Sequence, residues 1–130
     1  MNADKILHIV ERAYEGTIEE QDDQILWLVA AMRGGGGTNP SLLLRGSATN
    51  YAVKGHDPSG FSVGGLGLGH PPRIDEDVKK HLGAGTAVYV VREDAEARGI
   101  EAGDLVEGVK LVARTELAGL VAEHSAVFAW

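Results

Sequence analysis

The fold class is decided by one stretch, TAVYVVREDAEARGI at residues 86–100. Its first six residues, 86–91, form an almost continuously apolar run rich in β-branched side chains, which is typical of a parallel strand covered on both faces. Residues 93–98 then predict a short helix that ends at Gly99. A buried strand that leads directly into a helix predicts a parallel sheet with helical crossovers.

The same alternation extends outward in both directions. The sequence predicts three-layer α/β/α architecture with a mainly parallel five-stranded sheet and right-handed crossovers. Thr17 and Glu20 have the spacing of a capping box, which predicts a helix from residue 18 to residue 32, ended by the glycines at 34–37. The other predicted strands are 6–10, 41–45, 109–112 and 126–130, and the other predicted helices are 48–54, 74–82 and 114–124.

Length and composition exclude several classes of protein. The 130 residues suffice for one domain, expected to span residues 1–130, and the absence of cysteine excludes disulfide scaffolds, Cys-ligated zinc, iron–sulfur clusters and thiol nucleophiles. A net charge of −7 argues against a nucleic-acid partner. The apolar run at 6–10 is too short for a signal peptide or a membrane span, so we expect a cytoplasmic protein without a membrane partner.

Motifs for common cofactors are absent from the positions where they would function. The segment that follows the first strand lacks the glycines of a dinucleotide fingerprint, and no Gly-Lys-Ser/Thr triplet exists for a phosphate loop. We therefore predict no cofactor and no metal.

A glycine- and proline-rich loop at residues 55–73 is expected to be an insertion that is either functional or mobile. Residues 60–64 match the G-x-S-x-G pattern, but the flanking sequence predicts neither the strand nor the helix that a nucleophilic serine needs. The alternative function is accordingly a hydrolase or metal-assisted enzyme that uses this loop. Its candidate residues are His56, Asp57, Ser62 and His70.

The principal candidate site lies where the strands end, because ligands of open α/β sheets bind at the carboxyl ends of the strands. Arg45 and Arg92 each follow an apolar strand, and two guanidinium groups in one crevice would bind an anion. The alternative, which the sequence leaves open, is that Arg45 pairs with Glu11 as a structural ion pair. The predicted ligand-binding residues are Glu11, Tyr14, Arg45, Asn50, Val91 and Arg92.

Three blocks of sequence, together with the opening strand, resemble the DsrE/DsrF-like family: LLLRGSATNYAV at 42–53, VYVVREDAEARGI at 88–100 and DLVEGV at 104–109. The resemblance covers nearly the whole chain apart from the loop at 55–73. It implies a flavodoxin-like DsrE/F-type fold and assembly as a homotrimer or homohexamer. It also implies a connection with sulfur relay, in which some members carry sulfur as a persulfide.

One departure from the family decides what the resemblance implies about activity. Sulfur-relaying members have a cysteine where this sequence has Val91, and a persulfide requires a thiolate. The leading hypothesis is therefore a non-catalytic member that binds a small anionic or sulfur-containing molecule, or a sulfur-relay partner protein. Phe61, Leu66 and Leu68 add a reason to expect a homo-oligomer, since they would be exposed on a monomer.

Overall fold

The computed structural model describes residues 4–13, 23–55, 62–67 and 73–130. Parallel strands form a five-stranded sheet, with helices on both of its faces. The sheet strands are β1 (Lys5–Val10), β2 (Asn39–Leu44), β5 (Ala87–Val91), β6 (Lys110–Val112) and β7 (Ala126–Ala129), and β3 (Ser62–Val63) and β4 (Leu66–Gly67) form a separate hairpin. The helices are α1 (Gln24–Gly34), α2 (Ile74–Gly83), α3 (Arg92–Ala97) and α4 (Leu117–Ala122), with 3₁₀ turns at Gly46–Ala52, Ala102–Asp104 and Arg114–Glu116. The predicted α/β fold is confirmed.

Strand order places the carboxyl ends of all five strands along one edge of the sheet. The order is β6-β5-β2-β1-β7, and every neighbouring pair is parallel. From β1 the chain adds strands on one side as far as β6 and then returns to the other side of β1 to add β7. The strand order therefore reverses between β1 and β7, and such a switch point leaves a crevice outside the strand ends.

The two faces of the sheet are covered very differently. On one face, which we call the helical face, Leu26 and Val29 of α1, Tyr51 of the 3₁₀ turn and Val78 of α2 are buried against the sheet. The sheet residues beneath them include Val10, Leu42, Leu44, Val88 and Val90.

The opposite face, which we call the α4 face, holds a smaller core of Leu7, Leu43, Val91 and Leu120. Among the described residues, α4 is the helix that covers it, with Leu120 as its buried side chain. This face supplies the third layer of the predicted α/β/α sandwich.

Two local predictions need correction. The first helix does not run continuously from residue 18, because Asp23 has a non-helical backbone (φ −59°, ψ 128°) and caps a helix that begins at Gln24. Thr17 and Glu20 lie outside the described residues. Within the loop at 55–73 the structure has a hairpin, whose turn is made by Gly64 (φ 57°) and Gly65 (φ 82°). Two successive positive φ angles favour glycine, which the sequence supplies there.

Within the described residues, no helix has both the length and the apolar composition needed to cross a bilayer.

Candidate functional site at the switch point of the sheet

A cavity of about 470 Å³ opens at the switch point, between the ends of β1 and β7 and the start of α1. We call it the switch-point pocket. Its walls come from three segments that are distant in sequence, which is why no linear motif marks it. The lining residues are Val10, Glu11, Arg12, Asp23, Gln24, Ile25, Ala129 and Trp130.

The first wall is the segment after β1, and Ser47 holds it in place. The Ser47 hydroxyl accepts a hydrogen bond from the Ala13 amide at 3.0 Å and donates one to the Glu11 carbonyl at 3.4 Å. Gly46 lies so close that a Cβ there would be 2.9 Å from the Glu11 carbonyl oxygen, and its φ of 56° also favours glycine. Residues 46–48 therefore position the Glu11 side of the pocket.

The second wall is the start of α1, which Asp23 organises. Its Oδ1 accepts hydrogen bonds from the amides of Ile25 (2.8 Å) and Leu26 (3.1 Å), and its Oδ2 accepts one from the buried Tyr51 hydroxyl at 2.5 Å. Both carboxylate oxygens of this buried side chain are thus satisfied. The first amides of α1 are occupied by Asp23, so the cap fixes the wall instead of presenting free donors to a ligand.

The third wall is Trp130, held in position by His8. The Trp130 indole Nε1–H donates to His8 Nδ1 at 3.2 Å, and the two rings stack with centroids 6.2 Å apart and planes 12° apart. Because Nδ1 accepts, the proton of the neutral imidazole is on Nε2, which is buried with no partner among the described residues. Burial, and secondarily the charge of His81, lowers the pKa of His8 below its ordinary value, so the ring is neutral at neutral pH.

The charged groups of the pocket include one weak ion pair. A Glu11 carboxylate oxygen lies 3.7 Å from the Arg45 guanidinium, and both side chains are about half exposed. An exposed pair at this separation stabilises the fold by only about 0–1 kcal/mol. The pair can therefore open for a ligand at little cost.

Of the predicted ligand-binding residues, Glu11 lines the pocket, Arg45 lies beside it through its pair with Glu11, and the others that the structure describes are not brought into the lining. Arg92 is exposed at the start of α3, and Asn50 is half-buried in the 3₁₀ turn. Val91 is 1% exposed and packs with Leu7, Leu43 and Leu120 on the α4 face. Tyr14 lies outside the described residues.

A second polar cluster lies beyond the ends of β2 and β5, and its groups satisfy one another. Asp94 Oδ2 accepts the Gly46 amide at 2.9 Å, and its Oδ1 lies 2.8 Å from the Arg114 guanidinium. Burial by itself raises the pKa of Asp94, but the Gly46 amide and Arg114 outweigh it and bring the pKa below its ordinary value. The Arg114 amide in turn donates to both carboxylate oxygens of Glu93 at 3.0 Å.

The candidate enzyme residues of the loop are not assembled in the described part of the chain. Ser62 is exposed in the hairpin, and His56, Asp57 and His70 lie outside the described residues. Among residues 4–13, 23–55, 62–67 and 73–130, no three His, Asp or Glu side chains converge as metal ligands.

Sequence reasoning missed two features of the helical face. One is Trp130 as a pocket wall, which follows from the pairing of β7 with β1 and from no local pattern in the sequence. The other is a cavity of about 360 Å³ between α1 and α2, lined on its rim by Trp27, Arg33 and Lys80.

Comparison with known proteins supports this description of the fold. The model of the family described as "DsrH like protein" matches residues 69–127. This is somewhat less than half of the chain. The match makes this part of the chain similar to DsrH-like proteins, in agreement with the resemblance carried by residues 88–109.

Two solved structures resemble the whole chain. One is the ychN protein from E. coli, with a TM-score of 0.73 and 19% sequence identity, covering 98% of this chain and 99% of that chain. The other is MTH1491 from Methanobacterium thermoautotrophicum, described as a protein of unknown function, with a TM-score of 0.62 and 16% identity, covering 97% of this chain and 98% of that chain. At these identities the likeness concerns the fold. A search of curated proteins finds no match to this chain.

Proposed function

We propose that the protein is a non-catalytic member of the DsrE/DsrF/DsrH-like group that binds a small anionic or sulfur-containing molecule in the switch-point pocket. The observation that carries this proposal is the position of the pocket, at the switch point where open α/β sheets bind their ligands. Its three walls are held by Ser47, Asp23 and His8, so the cavity is formed before a ligand arrives.

The lining offers apolar and cationic groups to a small anion with a polarisable, weakly hydrated part. Its two carboxylates are engaged by the protein: Asp23 caps α1 and accepts from Tyr51, and Glu11 pairs with Arg45. Trp130, Val10 and Ile25 supply apolar surface, and Arg12 supplies a guanidinium. Arg45 supplies a second guanidinium when its weak pair with Glu11 opens. Arg92 and Asn50 follow β5 and β2 along the same edge and would contact a larger ligand; Tyr14 remains a predicted ligand-binding residue.

Sulfur would be carried by a partner protein. The chain has no cysteine, and the thioethers of its methionines have no thiol from which a persulfide could form. We propose that it supports a cysteine-bearing relay protein in the cytoplasm, as a single-domain chain in a homotrimer or homohexamer. The similarity of residues 69–127 to DsrH-like proteins supports this role, and Leu66, 79% exposed on the hairpin, supports self-association.

The two tryptophans provide an internal control for the binding test. Trp130 lines the switch-point pocket, whereas Trp27 lines the cavity between α1 and α2. In a nitrogen-15 NMR titration with thiosulfate, the Trp130 indole signal should shift in a saturable way while the Trp27 signal stays in place. Sulfate, which has the same charge, tests whether the sulfane sulfur matters.

A matched pair of arginine variants completes the test. Arg45→Ala should weaken thiosulfate binding about tenfold, as expected for the loss of one charge-assisted contact. Arg98→Ala removes an exposed guanidinium that hydrogen-bonds its own helix, and should bind like the parent. Equal shifts of both indoles, or equal affinity of both variants, would disprove specific binding in the pocket.

A further inference from the structure

We propose that the outer edge of β7 pairs antiparallel with β7 of a second copy of the chain, around a two-fold axis at Phe128. This contact goes beyond the ligand-binding role and does not depend on it. It specifies one two-fold contact of the assembly, which joins two chains and, in a homohexamer, would join two trimers.

The first observation is that β7 carries none of the charged or proline residues that protect an edge strand. It is the last strand of the sheet, and residues 125–130 contain no charged residue, no proline and no glycine. Its side chains are exposed on both faces of the sheet: Val127 is 38%, Phe128 42% and Trp130 45% exposed. Soluble proteins normally protect such an edge, because its backbone groups are a template for another strand.

The opposite edge of the sheet is different. Strand β6 has three residues and begins with the exposed Lys110, whose ammonium lies 5.8 Å from the centre of the Tyr89 ring. A short edge strand with a lysine discourages pairing. The contrast between the edges therefore points to β7 as the pairing strand.

The second observation is which backbone groups of β7 are available. The Trp130 amide donates to the Ile9 carbonyl of β1 at 2.9 Å. Because donors alternate along a parallel ladder, the amides and carbonyls of Val127 and Ala129 point away from β1. An antiparallel copy centred on Phe128 sets Val127 opposite Ala129 of the second copy, and the reverse, so these two residues form four main-chain hydrogen bonds.

The third observation explains why the occupant is a second copy instead of an unrelated strand. In this register Ala126 faces Trp130 of the second copy, Val127 faces its Ala129, and Phe128 faces its own counterpart. Each large side chain outside the axis meets an alanine, and the aromatic pair at the centre is a favourable cross-strand pair. A two-fold contact of this kind closes on itself, so it makes a pair without forming a fibre.

Single-cysteine cross-linking tests the register, because the parent chain has no thiol. Directly opposed residues of a non-hydrogen-bonded antiparallel pair have Cα atoms about 4.5 Å apart, within the range of a disulfide. Phe128→Cys should therefore form a covalent dimer under mild oxidation at least tenfold faster than Glu107→Cys, an exposed position outside β7 that reports random collisions. Trp130→Cys is the register control, since its own counterpart would lie roughly 13 Å away, beyond disulfide reach.

A second variant covers the case in which replacing Phe128 weakens the contact with His8. Val127→Pro removes a donor that faces away from β1, so the fold and its circular dichroism should persist. The mass measured by sedimentation should fall to half that of the parent. The proposal requires both results. It would be overturned if Phe128→Cys cross-linked no faster than the controls, or if the mass of Val127→Pro equalled that of the parent.

Discussion

The carboxyl edge of the sheet has two ends with opposite character. Beyond β2 and β5, Asp94 bridges the Gly46 amide and the Arg114 guanidinium at 2.9 and 2.8 Å, and its side chain is largely buried. Where β1 and β2 end, on the side of the sheet toward β7, Glu11 and Arg45 are 3.7 Å apart, half exposed, and beside an open cavity. Charged residues that follow strands therefore have two roles. At Asp94 they satisfy one another and stabilise the fold, whereas the weak Glu11–Arg45 pair leaves its charges available to a ligand.

We call the side of the carboxyl edge beyond β2 and β5 the closed end, and the side beside the switch-point pocket the open end. The largest expected effect concerns Val91, the last residue of β5, at the closed end. A thiol introduced by Val91→Cys would be buried with Leu7, Leu43 and Leu120, so alkylation would require local opening. We expect labelling about 100-fold slower than for Leu66→Cys on the exposed hairpin, measured by intact mass over time. Labelling faster than a free cysteine peptide would instead mean that the side chain reaches the crevice at the strand ends.

A pair of carboxylate deletions compares the two ends directly. Asp94→Ala leaves the Gly46 amide without its acceptor and Arg114 without its partner, and should lower the free energy of unfolding by about 1–3 kcal/mol. Glu11→Ala is the matched change at the open end and should cost less than about 0.5 kcal/mol. Urea unfolding measures both, and equal losses would remove the distinction between the ends.

Acid pH should also lower the free energy of unfolding through the carboxylates of the closed end, by less than Asp94→Ala does. The pKa of Asp94 is lowered on folding because the Gly46 amide and Arg114 outweigh burial, and that of Asp75 because the Gly55 amide and Arg73 do so. A lowered folded-state pKa contributes stability that is full above the unfolded-state pKa and is lost as pH falls through the folded-state value.

The urea midpoint should therefore decline in two stages as pH falls. Below about pH 6.5 it declines because the unfolded chain protonates His8 and His81, whose pKa values burial lowers in the folded state, and below about pH 4 it declines further as Asp94 and Asp75 are protonated. Asp94→Asn keeps an oxygen for the Gly46 amide but does not titrate, so its midpoint should decline less steeply than that of the parent. Identical slopes for the parent and Asp94→Asn would contradict the assigned role of Asp94.

The strand ends could be located from the sequence, and the pocket between them could not. The strand ends were predicted correctly because hydrophobic runs mark strands and polar residues follow them, which placed Glu11 and Arg45 at the right edge. Whether they bind a ligand or pair with each other depended on a distance of 3.7 Å between residues 34 positions apart. The role of Asp23 in the pocket could not be predicted for a similar reason, because it depends on a hydrogen bond from Tyr51, which is also far away in sequence.

By itself, the sequence determined the alternation of strands and helices, the parallel sheet and the absence of thiol chemistry, because these depend on local periodicity and on residue type. Tertiary structure alone decided the strand order, and with it everything that the order controls. Because β7 adds beside β1, Trp130 reaches His8 and the switch-point pocket opens at that end. Within the described residues, the apolar outer edge of β7 has no paired strand. The physical reason is that strand order is set by how apolar faces of distant segments pack together, and no local pattern in the chain encodes which strand will be the neighbour of another.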